Sequence, residues 1–202
     1  MIDRIVYILL LLALSACASQ PPTLAAASAD SLLGKLRQGG YVIYFRHAAT
    51  NHAQKDTDMS DFSNCDEQRN LDHKGRRQSE LIGEQFKQLG IPVGSVKTSK
   101  LCRCIETAEL AFGHATPTQD LTSIIGVTSA VRQQRVNAIK TMLGSKPEPG
   151  TNTILVSHKH MFYDASGVWL EEGEAAIYKP DGSSKIKFVI KVKPEAWQHL
   201  PR

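Results

Sequence analysis

Tyr41-Val42-Ile43-Tyr44-Phe45 is an unbroken apolar, β-rich run. A strand of that kind is buried on both faces, so it calls for a sheet covered by a layer on either side. The rest of the chain fits that demand. Ser31 to Gln38 reads as a short leading helix. Lys74 to Leu89 places Gln78, Leu81, Ile82, Phe86 and Leu89 near one helical face, with Asp72 to cap the helix and Gly90 to stop it. Val93 to Thr98 reads as a second strand, and Lys100 to Phe112 as a helix that Ser99 can cap. Val131 to Leu143 is a further helix, ended by Gly144 and a proline-rich stretch, and Thr153 to Ser157 is a third apolar strand. A short helix near Phe162 follows. The last two strands, around Ala175–Tyr178 and Lys185–Val192, are suited to pair as a hairpin across Pro180-Asp181-Gly182. Strands alternating with helices imply an α/β fold, three layers α/β/α around a mostly parallel central sheet. Ligands of such sheets sit outside the carboxyl ends of the strands.

The chain has 202 residues, 42% hydrophobic and 22% charged, with no internal repeat, which suits one globular domain over residues 31–202. The residues before it read differently. Ile5 to Leu14 is an apolar run too short for a membrane span of ~20 residues, and it matches the core of a secretory signal. It leads into Leu14-Ser15-Ala16-Cys17, which resembles the lipobox of bacterial lipoproteins. On that reading residues 1–16 are a signal peptide, Cys17 is acylated, and residues 17–30, rich in Pro, Ala and Ser, form a tether. The competing reading is an ordinary signal peptide that happens to contain a cysteine. The expected location is the bacterial cell envelope, lipid-anchored and facing the periplasm (the outer membrane in a Gram-negative cell). The net charge of +4 comes without a run of five basic residues or interleaved aromatics, which argues against nucleic acid as a partner.

Three strand ends carry the residues of interest. The first strand runs into Arg46-His47-Ala48-Ala49-Thr50, the second into Ser99 with Arg103 a turn on, and the third into His158. Two arginines and two histidines would then meet at one edge of the sheet. That set suits phosphoryl transfer. A neutral imidazole attacks phosphorus when its other nitrogen is held by a hydrogen bond, while arginine forks match the phosphoryl oxygens in two-toothed fashion. A second, protonated histidine adds a donor, so neither cofactor nor metal is expected. His52, His73 and His160, with Cys65, lack the spacing of metal ligands and read as surface residues, with His160 a bystander to the pocket.

Arg46-His47-Ala48-Ala49-Thr50 resembles the Arg-His-Gly signature of the histidine phosphatase, or phosphoglycerate mutase-like, superfamily. Ser99-Lys100-Leu101-Cys102-Arg103-Cys104-Ile105-Glu106-Thr107-Ala108 is similar to that family's second arginine segment. Asn70-Leu71-Asp72-His73-Lys74-Gly75-Arg76-Arg77-Gln78 is similar to the start of its first long helix, and Leu155-Val156-Ser157-His158 to the strand carrying its second histidine. The resemblance implies His47 as nucleophile, Arg46, Arg103 and His158 as phosphate ligands, and Thr50 as a further contact. It departs from the family at Ala48, where the motif has glycine, and at Lys159, where one branch places the aspartate that protonates the leaving group. Asp56, Asp120 and Glu174 are the candidates for that acid.

Similar envelope members of the family carry cysteines at positions like 65 and 102, which implies a Cys65–Cys102 disulfide, with Cys65–Cys104 as the alternative. The resemblance implies a metal-independent phosphatase acting on a phosphorylated small molecule or protein, held at the membrane through its N-terminal lipid. The competing function is a lipid-tethered protein that binds a phosphorylated ligand without turning it over. Substrate and oligomeric state are not legible.

Overall fold

Alternate residues of the first strand, β1 (Val42–Arg46), enter two different cores. Ile43 and Phe45 pack into one with Phe86 and Trp197, while Val42 and Tyr44 pack into the other with Ile139 and Phe162. The strand is therefore buried on both faces, as its composition requires. The computed structural model describes residues 29–181 and 186–201. The leader over residues 1–16, Cys17, nearly all of the tether, and Gly182 of the expected hairpin turn lie outside the described residues.

The described elements run α1 (Leu32–Gln38), β1, α2 (His73–Leu89), β2 (Val93–Thr98), α3 (Cys102–Phe112), β3 (Thr116–Pro117), α4 (Ser129–Gly144), β4 (Asn152–Ser157), α5 (Lys159–Ser166), β5 (Ala175–Pro180) and β6 (Ile186–Val192). The strands form one sheet in the order β3-β2-β4-β1-β5-β6. The β3–β2, β2–β4 and β4–β1 pairings are parallel, and β1–β5 and β5–β6 are antiparallel. This is the α/β sheet expected from the alternation of elements, with β5 and β6 paired as the hairpin reading requires. Among the described residues no helix is long and apolar enough to cross a membrane.

Local signals account for most boundaries. The Asp72 side chain accepts the N–H of Gly75 at the start of α2, and Gly90, in the left-handed region, ends that helix. Helix α3 departs from expectation. Ser99 does not cap it; the helix begins later, at Cys102, with Leu101 in the cap position and no side-chain bond there. The Ser99 hydroxyl instead accepts the N–H of Leu101 and meets Nε2 of His158 at 2.9 Å, so it belongs to the edge of the sheet rather than to the helix.

Two close approaches set the spacing of α2. A Cβ at Gly75 would fall 1.9 Å from the carbonyl oxygen of Ala49, so the helix start rests directly on the loop after β1. A Cβ at Gly83 would fall 2.2 Å from that of Ala111 in α3.

Cys65 and Cys102 form the disulfide that the resemblance implies, with Cα atoms 5.8 Å apart, and Cys104 is buried and unbridged. The bridge closes a loop between residues 37 positions apart. Opening it with the Cys65→Ser/Cys102→Ser double variant is expected to cost roughly 3–4 kcal/mol through the entropy regained by the unfolded chain. Urea denaturation of both proteins measures it; equal midpoints would show that the loop is held by its other contacts.

Candidate active site

The parallel pairing of β1 with β4 sets the site. Arg46 lies opposite Ser157, and the N–H of His47 donates to the Ser157 carbonyl at 2.9 Å. His47 and His158 therefore leave neighbouring strands at the same level, and their rings stand 5.5 Å apart. On the other flank of β4, Ser99 N–H donates to the carbonyl of Val156, which brings the first turn of α3, and with it Arg103, to the same edge. Arg46, His47, Arg103 and His158 are all buried and line one cavity of about 290 Å³. The four residues singled out at the strand ends are thus brought together.

The two imidazoles are held neutral. Burial pushes the pKa of His47 well below 6.5, and the charges of Arg103 and Arg46 push the same way, against a hydrogen bond to the backbone at Ala48. In that neutral ring Nδ1–H donates to the Ala48 carbonyl at 2.9 Å, which leaves Nε2 as the nitrogen with a lone pair. His158 is pushed down by burial, then by Arg103 and His47, so its surroundings favour the neutral ring, and the protonated donor expected from the sequence needs an added negative charge beside it. Its orientation is set by the Ser99 hydroxyl on Nε2 and by Tyr44, whose hydroxyl donates to the His158 carbonyl at 2.9 Å.

The sign of the resulting pH dependence follows. Both histidines have folded pKa values below the unfolded value of 6.5, so below that pH the unfolded chain takes up protons that the folded chain refuses. Stability contributed by the neutral rings is present above pH 6.5 and is lost as the pH falls below it. The loss is expected to be up to about 1.4 kcal/mol per histidine at one unit below. Urea denaturation at pH 7.5 and 5.5 measures it. Saturating phosphate should reduce the difference, because a bound anion favours the protonated rings.

Both guanidinium groups are engaged by carboxylates. Arg103 donates to the two oxygens of Asp56 at 2.8 and 3.2 Å and to the Arg69 carbonyl at 3.1 Å. Arg46 donates to Glu172 at 3.1 Å and to the Leu170 carbonyl at 3.3 Å, with Glu171 3.6 Å away. Burial lowers the pKa of Arg46, offset in part by Glu172 and Glu171. In each arginine the Nε–H is buried without a partner. An unmade buried hydrogen bond costs about 1–3 kcal/mol, so each arginine beside the cavity carries unmet donor capacity. Arg69 and Lys159 also line this cavity.

Of the three candidate acids only Asp56 lines the cavity. Burial works against its charge, but the hydrogen bonds from Arg103 and from the Arg69 N–H prevail, and its carboxyl is held below its ordinary value. Asp120 lies in the short turn Gln119–Leu121, outside the cavity lining, where its charge acts on Arg135. Glu174 is buried just before β5 but is directed elsewhere, accepting the N–H of Glu171 and standing 3.6 Å from Lys191 on β6. Thr50 donates to Glu172 at 2.9 Å and reaches the site only through that carboxylate. Ala48 is fully buried, and its N–H donates to the Thr107 hydroxyl. The methyl of Ala48, where the motif it resembles has glycine, therefore packs inside the protein.

Sequence reasoning missed Arg69 and Glu172. Arg69 directly precedes the Asn70 segment, a position that was available to it; Glu172 sits in a loop with no pattern. His52 and His160 do reach the cavity lining although both are exposed.

The model of the histidine phosphatase superfamily (branch 1) matches residues 42–124. No curated protein gives a sequence match. Solved structures with a similar fold include the protein histidine phosphatase SixA complexed with tungstate, at 16% identity and a TM-score of 0.54 over 76% of this chain and 97% of that one. A mycobacterial glucosyl-3-phosphoglycerate phosphatase in complex with inorganic phosphate gives 15% and 0.54 over 79% and 99%. Phosphoserine phosphatase from Entamoeba histolytica in complex with 3-phosphoglyceric acid gives 13% and 0.55 over 78% and 98%. The fold is that of the histidine phosphatases, and the stretch bearing His47 and Arg103 matches the model of that superfamily.

Proposed function

We propose that the chain is a member of the histidine phosphatase superfamily that hydrolyses phosphate monoesters, or a phosphorylated protein, through a phosphohistidine at His47. The observation that carries this reading is the neutral, buried imidazole whose Nδ1–H is tied to the Ala48 carbonyl, beside two buried arginines with unpartnered Nε–H groups. Nε2 of His47 forms the bond to phosphorus as the bond to the leaving oxygen breaks, and that oxygen takes up a proton. Water then attacks the phosphohistidine, releasing orthophosphate and restoring the imidazole. Arg46 and Arg103 hold the equatorial oxygens, and His158 joins them once the bound anion favours its protonated form.

Asp56 is the acid of this scheme. At rest Arg103 keeps it ionised. A phosphoryl group that takes over Arg103 removes those hydrogen bonds and adds negative charge beside the carboxyl, and both changes favour proton uptake.

The test is release of p-nitrophenol from p-nitrophenyl phosphate by the purified protein in EDTA, with a phosphorylated His47 peptide trapped without acid. The ionised state of Asp56 favours one other reading, a tethered protein that binds a phosphorylated ligand without turnover. Background release together with tight vanadate binding would establish that alternative. The envelope reading of residues 1–30 rests on Leu14-Ser15-Ala16-Cys17. Cys17→Ser is expected to lose lipid labelling and membrane association, and its retention at the membrane with label would refute the anchor.

A further inference from the structure

A second cavity of about 320 Å³ abuts the first and shares Asp56, Ser123 and Ile125 with it. Its character is different. Met59, Phe62, Leu101, Ile125 and Val127 supply apolar walls from the loop after β1, the start of α3 and the segment before α4. Ile125 is 75% exposed, the most exposed of the large apolar side chains among the described residues, yet it stands at the boundary of a cavity lined by arginines and histidines. The segment that carries it is held from behind. Arg135 of α4 is buried and donates to the carbonyls of both Thr122 and Ser123. The segment is therefore anchored at Thr122 and Ser123, and Ser123 and Ile125 line both cavities.

We infer that this second cavity receives the leaving group of the substrate, and that the substrate is a phosphate ester whose alcohol is apolar next to the phosphoryl oxygen. The inference rests on the phosphatase reading for the placement of the phosphoryl group. A phosphoryl group among Arg46, Arg103 and the two histidines has Asp56, Ser123 and Ile125 as its shared boundary with the annex. The ester oxygen then lies beside Asp56 and the carbon chain beyond it meets Ile125, Val127, Met59 and Phe62. The volume lies at the lower end of the range of small-molecule sites. Asp56, Thr122, Ser123 and Arg135 also line the annex, but a hydroxyl set against Met59, Phe62, Leu101 or Val127 would lose its partner from water, at a cost in affinity.

Non-hydrolysable alkylphosphonates test this without requiring turnover. Calorimetric titration of the full-length protein with ethylphosphonate and hexylphosphonate compares chains that differ by four methylenes, each worth about fourfold in affinity when fully buried. Hexylphosphonate is expected to bind at least about tenfold tighter. In the Met59→Ser/Val127→Ser variant, which touches only the annex, ethylphosphonate should bind as in the unaltered protein while the advantage of the longer chain falls below about threefold. Equal affinity for the two phosphonates, or a chain-length advantage indifferent to both substitutions, would overturn the inference. So would the absence of any phosphonate binding. Binding with the expected chain-length dependence but no release from p-nitrophenyl phosphate would retain the annex and remove the phosphatase reading instead.

Discussion

His47→Ala is expected to abolish hydrolysis of p-nitrophenyl phosphate, with a loss of at least about 10⁴-fold, the scale seen when a covalent nucleophile is removed. Of the other imidazoles lining the cavity, His158 has Nε2 engaged by the Ser99 hydroxyl and its backbone tied by Tyr44, while His52 and His160 are exposed. The loss should appear in kcat and kcat/KM alike, because the bond to phosphorus is made only in the transition state, and the phosphorylated peptide should vanish with it. Vanadate binding should persist, since Arg46 and Arg103 are held by contacts independent of His47. That retained binding distinguishes loss of chemistry from loss of fold. A variant that kept a tenth of the activity would exclude His47 as the nucleophile.

Arg103→Ala is expected to lower kcat/KM by about 10²–10³-fold, the effect of removing one preorganised donor from a developing oxyanion. Two consequences accompany it. The cavity loses a fork that only guanidinium supplies, so Arg103→Lys should recover less than a tenth of the lost activity. Asp56 also loses two of the hydrogen bonds that hold it ionised and keeps the one from the Arg69 N–H, so its carboxyl should titrate higher in the variant. In the double variant Arg103→Ala/Asp56→Asn the two losses should combine to less than their product, since each substitution removes the same contact. Full recovery by lysine would show that Arg103 contributes charge alone, without the two-toothed geometry.

How far each part of this site could be foreseen depends on the range of the forces that place it. The run Tyr41–Phe45 declares a strand buried on both faces, because composition alone decides whether a strand can face water. Asp72 and Gly90 mark α2 because capping acts within a few residues. Arg46-His47 and His158 could be assigned to one edge because they stand at the carboxyl ends of two neighbouring parallel strands. Ser99 shows where this reasoning stops. As a helix cap it is a sound local reading, yet in the fold its hydroxyl serves the histidine of another strand, 59 residues away. Asp120 and Glu174 were candidates for the acid that the resemblance implies, but Asp120 lies outside the cavity lining and Glu174 stands 3.6 Å from Lys191.

By itself, then, the chain's sequence determined the element pattern, the mostly parallel sheet and which four side chains stand at or just beyond the strand ends, since these follow from periodicity, capping and the direction of strands. Tertiary structure alone decided which carboxylate reaches Arg103, that Glu172 answers Arg46, and that an apolar annex opens beside the cavity. The physical reason is distance along the chain. Asp56, Leu101, Ile125 and Arg135 come from separate stretches, and only the packing of loops against the finished sheet brings them to one place.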